Sequence, residues 1–399
     1  MLRIKKVSLK IKKIPQCYLI TLIAIALLCI PYNSNGYPLL TRLLRYISYG
    51  IFAWSVLVFR TKKMYKLKWY VPFWILLILM VISTAANDIS AVKSCVECVI
   101  RLFAIVVLFE FMMQYNSKLT IIWNATIWTV LMLIEAISEV TDCFGYASTV
   151  NSSDLNNYLF GIRNEINQYV IYAFFFCFLA MYIGKMKEKV KLFIVLFSGI
   201  YFAVVQEVST AISGIVVFFV VLLGSKLVKK KVWWRIYLAV LAISIFLFIK
   251  LQNTAMFQVI LVTWLHEDLT LNGRIILWPQ ALEQARGIHA IIGFGFSPKY
   301  TLRIGSYVVN HPHNQFIQFI FNYGYPGLVL YLWMMWKSVK KILAVKDYKI
   351  RMISIATISA TVCMCISSRN YFYLTAQIFY VILRHINELT SSRRKGDNS

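Results

Sequence analysis

Charge is scarce along this chain: Asp, Glu, Lys and Arg make up 15% of its 399 residues, where a soluble domain carries about 25%. That shortage, with 60% apolar residues and a mean hydropathy of +0.68, excludes an ordinary water-soluble domain. Acidic residues are scarcer still, 16 against 42 basic ones, and the net charge of +26 would by itself suggest a nucleic-acid partner. The basic residues, however, fall in clusters between alternate apolar runs, as cytoplasmic loops of a membrane protein do, so no nucleic acid is expected. Strict apolar–polar alternation is missing, which disfavours a transmembrane barrel. A cysteine framework is missing too. Cys17, Cys29, Cys98, Cys177 and Cys363 lie within apolar runs, Cys95 and Cys98 have CxxC spacing inside a hydrophobic helix, and Cys143 is alone in its loop. Neither zinc nor a disulfide set is supported by that arrangement. No small-residue cleavage site follows the basic segment 1–13, so the first apolar run reads as a retained span. The two halves of the chain show no internal repeat of the kind that transporters carry.

What is present is a succession of apolar runs, at about 16–31, 43–59, 68–86, 90–113, 119–140, 166–184, 190–206, 209–225, 233–250, 315–337, 350–367 and 371–386. A hydrocarbon core about 30 Å thick needs roughly 20 apolar residues per helix, and helices satisfy their own backbone polar groups. The expected fold is therefore an all-α polytopic membrane protein of about twelve transmembrane helices, with the lipid bilayer as its surroundings. Placing the N-terminus in the cytoplasm puts Lys62, Lys63, Lys66 and Lys68 inside, with Lys185–Lys191, Lys226–Arg235, Lys337–Arg351 and the Arg393-Arg394-Lys395 tail. Every strong basic cluster then lies on one side, and the loop between the ninth and tenth runs lies outside. The divisions read from this pattern are a bundle over 1–250, an extracytoplasmic loop with short helices over 251–314, further spans over 315–386 and a basic tail over 387–399.

That loop is the one long polar segment. It holds His266, His289, His311 and His313, four of the 5 histidines, together with Arg274, Arg286, Lys299 and Arg303. A loop this long in a compact protein is usually functional. Asn272 suits the cap of a short helix starting near Arg274, which Pro279 would bend. Gly293-Phe294-Gly295-Phe296-Ser297-Pro298 reads as a turn-rich break, and Gly324-Tyr325-Pro326-Gly327 as a kink in the tenth run. His311 and His313 flank a proline that fixes the backbone before that run. The pair could bind a metal with His266, Glu267 or Asp268 as third ligand, could be structural, or could move a proton; an imidazole with a pKa near 6.5 suits the last role best. Arg274, after Asn272-Gly273, could grip two phosphate oxygens or a lipid headgroup. Arg163 and Arg369, in outer loops, add to a convergence of arginines that suggests an anionic ligand. His289 and His385 read as incidental. Within the runs, Lys93, Glu97 and Arg101 share one helix face and Glu135 and Glu139 another; as intramembrane charges they should face each other or a wet cavity.

Asn272-Gly273-Arg274 with Trp278, the Gly293-Phe294-Gly295 turn, and His311-Pro312-His313-Asn314 before a run containing Gly324 and Gly327 resemble the O-antigen ligase and polysaccharide polymerase superfamily. The segment Asn164–Gln168 and the twelve-run layout are similar as well. The resemblance implies transfer, outside the membrane, of a glycan from a polyprenyl-diphosphate-linked oligosaccharide to the hydroxyl of a glycan acceptor, with no metal, nucleotide sugar or other cofactor. It aligns His313, or else His311, with the base that deprotonates or orients that hydroxyl, and Arg274 with the arginine that holds the diphosphate. Many members also carry an arginine after a serine or threonine near the outer start of the eighth run; Val208-Ser209-Thr210-Ala211-Ile212-Ser213-Gly214 has none. Arg163, Arg303 and Arg369 are the candidates to replace it, while Arg101, Glu97, Glu135 and Asn314 are candidates for a structural or cavity role.

The expectation is a bacterial cell-membrane polysaccharide polymerase acting with the flippase and chain-length regulator of its pathway. One rival is an O-antigen ligase, which differs only in acceptor: a lipid A core or other surface molecule. Another is a transporter or flippase of lipid-linked sugars, which would use Lys93, Glu97, Arg101, Glu135 and Glu139.

Overall fold

The computed structural model describes residues 38–141, 146–147, 156–157, 167–184, 188–205, 209–224, 274–296, 302–304, 307–309, 311–367 and 374–396. Among them the chain is mostly helical. In order, the helices are α1 (Pro38–Thr61), α2 (Val71–Asn87), α3 (Val92–Thr141), α4 (Asn167–Ile183), α5 (Glu188–Val205), α6 (Ser209–Gly224), α7 (Arg274–Gln284), α8 (His289–Ile292), α9 (Gln315–Leu343), α10 (Tyr348–Ser367) and α11 (Leu374–Gly396). Two small antiparallel pairs join them, β1 (Tyr146–Ala147) with β2 (Asn156–Asn157), and β3 (Leu302–Ile304) with β4 (Tyr307–Val309).

Each apolar run predicted within these residues coincides with a helix; the runs at 16–31 and 233–250 lie outside them. The runs at 90–113 and 119–140 are the two halves of α3, broken at Asn116, whose φ of −158° and ψ of 92° are not helical. Asn116 makes the break and restarts the helix: its side-chain oxygen accepts from the Leu119 N–H at 3.0 Å, as an N-cap does. Asp347 does the same for α10, accepting from the N–H groups of Lys349 at 3.0 Å and Ile350 at 3.1 Å. Helix α11 runs on to Gly396, so residues assigned above to a tail continue the helix.

Burial follows sequence in a way that water would not produce. Helix α4 is apolar on all sides and sits at the centre, with Val170 through Cys177 fully enclosed, as an all-round apolar helix must be. Helices α10 and α11 line it. On the outside, the residues facing away from the core are apolar too: Val190, Phe193, Phe197, Ile200 and Val204 form a stripe along α5, with Phe193 71% exposed. Ile75, Ile78 and Ile82 on α2 and Val329, Trp333 and Trp336 on α9 do likewise. Outward apolar stripes of this length on several helices far exceed the patches of a soluble monomer. Among the described residues two helices, Lys68–Asn87 and Tyr348–Ile366, are long and apolar enough to cross a membrane; Tyr169–Ile183 and Thr210–Gly224 are shorter apolar helices.

At one end of the bundle, charge is buried. Glu110, in the first half of α3 and wholly enclosed, accepts from the Tyr70 hydroxyl at 2.5 Å, the Gln114 amide at 2.7 Å and the Arg384 guanidinium. His385 approaches the same carboxylate at 2.9 Å through Nε2, and Glu388 at 2.8 Å through Nδ1. The expectation that His385 is incidental is corrected here: it is buried and joins α11 to α3.

Candidate active site

The first residues of α9 determine the site. Asn314 has extended backbone, and its Oδ1 accepts from the N–H groups of Phe316 at 3.0 Å and Ile317 at 3.2 Å, capping the helix. Its Nδ2 donates to the Ile366 carbonyl at 3.0 Å, at the end of α10. This buried amide thus ties α9 to α10.

Immediately before it, His313 has a φ of +51°, a left-handed conformation uncommon outside glycine and asparagine. The rings of His311 and His313 meet edge to face with centroids 4.0 Å apart, and both are partly buried. Pro312 between them is buried, and its carbonyl accepts from the Trp278 indole N–H at 2.9 Å.

Trp278 belongs to α7, which starts at Arg274 as the sequence predicts. Four residues of helix rise about 6 Å, so the start of α7 stands one turn from the point where this helix grips the histidine loop. The helix is seated by a small core of its own: Leu277, Ala281, Phe294, Leu302 and Phe321, with Ile304, Val309 and Ile317 around it. Gln280 fastens the neighbouring hairpin, accepting from the Arg303 N–H at 3.0 Å and donating to the Arg303 carbonyl at 2.9 Å. Since Leu302 and Ile304 point into that core, Arg303 between them lies on the exposed face. The hairpin goes beyond the short helices and turn-rich break expected of this loop. Its signal was present, an apolar strand on either side of the two residues Gly305-Ser306.

A second knot holds this unit to α2. The predicted kink in α9 is centred on Gly324, whose φ is +68°. Pro326 has no N–H to offer the Asn322 carbonyl four residues back. That carbonyl instead accepts from Gly295 N–H and from the Ser83 hydroxyl, each at 2.8 Å, while the Phe321 carbonyl accepts from Phe294 N–H at 2.9 Å. Ser83 also bonds the Ile292 carbonyl, Asn87 donates to the Gly293 carbonyl at 3.0 Å, and Thr84 accepts from Phe296 N–H at 3.0 Å. The approach is so close that a Cβ on Gly293 would lie 2.3 Å from the backbone of Asn322. His289 stacks on Phe294 at 4.0 Å and reaches the Gly293 carbonyl at 3.0 Å, so it too is structural rather than incidental. Ser83 and Thr84 close the apolar run at 68–86 and Asn87 follows it; their spacing on one helix face is the signal in the sequence.

Of the remaining predicted residues, Glu97 and Arg101 lie partly buried on the first half of α3, where Glu97 accepts from the Tyr49 hydroxyl at 3.0 Å. Glu135 is fully buried on the second half. Arg163 and Arg369 fall outside the described residues, as do His266, Glu267 and Asp268.

Residues 192–332 match the model of the O-antigen ligase family. No curated protein matches the chain. The matched segment contains α7, the hairpin, the histidine loop and the Gly324 kink, and so takes in Arg274, Arg303, His311, His313 and Asn314; Arg101, Glu97, Glu135, Arg163 and Arg369 lie beyond it.

Proposed function

We propose, from the match of residues 192–332 to the O-antigen ligase family, that the chain polymerises a bacterial surface polysaccharide. It does so by moving a polyprenyl-diphosphate-linked glycan onto the hydroxyl of another lipid-linked repeat unit. The observation that carries this reading is the hydrogen bond from Trp278 to the Pro312 carbonyl, which joins the helix beginning at Arg274 to the loop bearing both histidines. A base and an anion-binding group on one small rigid unit are what the reaction needs.

In this reading His313, or else His311, takes the proton from the acceptor hydroxyl as its oxygen bonds to the anomeric carbon. The bond from that carbon to the diphosphate breaks, and the leaving group departs with the electron pair. Its growing negative charge falls to Arg274 and the N-terminal end of α7. Arg303, Arg163 and Arg369 are the candidates for a second contact with the diphosphate, and no metal or cofactor is required. The protein crosses the cell membrane about twelve times, with its outward apolar stripes in lipid and the site outside; a flippase supplies its substrate and a chain-length regulator limits its product.

Liposomes holding the purified protein and a polyprenyl-diphosphate-linked repeat unit test this directly. The expected product is a ladder of lipid-linked oligomers, and His313→Ala should slow its growth by about a hundredfold or more. Transfer to a lipid A core without a ladder would replace the polymerase with the ligase. Absence of any transfer, or full activity in both His311→Ala and His313→Ala, would overturn the reading.

A further inference from the structure

The geometry assigns to Trp278 a positioning role: by holding the Pro312 carbonyl, its indole N–H sets where His311 and His313 stand relative to the first turn of α7. The consequence for catalysis rests on the reading given above; the consequence for the loop does not.

Left-handed backbone at a non-glycine residue costs roughly 1–2 kcal/mol and persists where its surroundings over-determine it. His313 is in that position, with a φ of +51°. Two ties bracket it: Trp278 to the Pro312 carbonyl on one side and Asn314 to the Ile366 carbonyl on the other. The second reaches α10; the first is a direct side-chain tie from α7 to this loop. Trp278 cannot easily turn away. It is 6% exposed, its neighbours Leu277 and Ala281 are wholly enclosed in the small core, and a buried indole N–H without a partner is costly.

The choice of donor matters as much as its place. An indole nitrogen only donates and does not titrate, and a backbone carbonyl only accepts. The tie therefore has one polarity and survives every change in histidine protonation. A general base must gain and lose a proton in each turnover, so a scaffold bond through its own ring would weaken once per cycle. Here the bond grips the backbone between the two rings.

The test uses the full-length protein in liposomes with the lipid-linked repeat unit, comparing wild type, Trp278→Phe and a protein with 3-benzothienylalanine at 278, which has sulfur in place of the N–H and nearly the same shape. Both changes should lower kcat by between about tenfold and a hundredfold, as a misplacement near 1 Å does, with the KM for the lipid-linked donor held within about twofold. Independently of turnover, diethyl pyrocarbonate should modify His311 and His313 several-fold faster in both variants, read by mass spectrometry. If Trp278→Phe fails to fold, the benzothienyl protein decides. Unchanged labelling rates, or a raised KM at unchanged kcat, would overturn the assignment. Should wild type itself transfer no glycan, the proposed function falls while the labelling still decides whether Trp278 holds the loop.

Discussion

The two ends of α9 are held by opposite kinds of chemistry. At the histidine end the ties are neutral: an indole, an amide and a hydroxyl donate to the carbonyls of Pro312, Ile366 and Asn322, and glycines let backbones touch. Toward the other end charge enters: the Lys337 ammonium donates to the carbonyls of Lys68 at 2.5 Å and Trp69 at 3.1 Å, and the next residue, Tyr70, bonds Glu110, where Arg384 and His385 tie α11 to α3. The difference teaches what a site for a charged substrate requires of its scaffold. Charged ties near a diphosphate would compete with it and shift when a histidine titrates, whereas neutral ties to backbone do neither. On the proposed function no substrate charge has to be met near Glu110, and buried ions there can specify which helix packs where.

The comparison breaks first at Gly293. Its φ of +63° and the 2.3 Å approach to the Asn322 backbone leave no room for a methyl group, and backbone on backbone cannot yield as a side chain would. Gly293→Ala should destabilise the outer knot by upwards of about 4 kcal/mol. The protein should then lose glycan transfer and melt early in detergent, while Gly50→Ala, where a Cβ meets nothing within 4 Å, behaves as wild type. A Gly293→Ala protein with normal melting would mean the close approach is not maintained.

The ionic end comes next. Glu110→Gln keeps the shape but removes the charge that Arg384 and His385 share, and breaking a buried pair from one side costs about 3–5 kcal/mol. The melting temperature in detergent should fall clearly, yet the fraction that remains folded should elongate glycan at a rate near that of wild type, since this network joins α3 to α11 and includes no residue of α7, α9 or the histidine loop. A fall in kcat as large as the fall in stability would show that the two ends are coupled through α9.

How much of this was legible beforehand follows from which interactions are local. The apolar runs gave the helices because length and composition decide them within a single stretch. The break at Asn116 was equally readable, as polar Asn116-Ser117-Lys118 between two apolar runs, and so was the start of α7 at Arg274. The kink at Gly324 could be read from Gly324 and Pro326 alone. What fills the kink could not: the Asn322 carbonyl is satisfied by Ser83 and Gly295, far away along the chain. Glu110 is one acid in an apolar stretch, and nothing local to it, or to His385, announces that they meet. For the candidate site, the residue types and the start of α7 were legible, while the bond that fixes their relation, Trp278 to Pro312, appears only in three dimensions.

Asn314 allows the finest cut, because its two ends do separate things. Asn314→Asp keeps an oxygen to cap α9, and a carboxylate at a helix N-terminus is, if anything, a better cap. What it removes is the Nδ2 donor, leaving an oxygen to face the Ile366 carbonyl across a gap that the hydrogen bond now closes to 3.0 Å. The cost should therefore be small, about 1–3 kcal/mol for a buried acceptor left without its donor. It should show as a modest drop in melting temperature with a loss of kcat smaller than that of Trp278→Phe, because α7 still grips the loop from the other side. Asn314→Ala, which removes cap and tie together, should be worse than Asn314→Asp in both measures. If the two variants are equal, the cap contributes nothing and the tie to α10 is the whole of what Asn314 does. If Asn314→Asp is indistinguishable from wild type, the neutral bracket around His313 has one working arm, and it is Trp278.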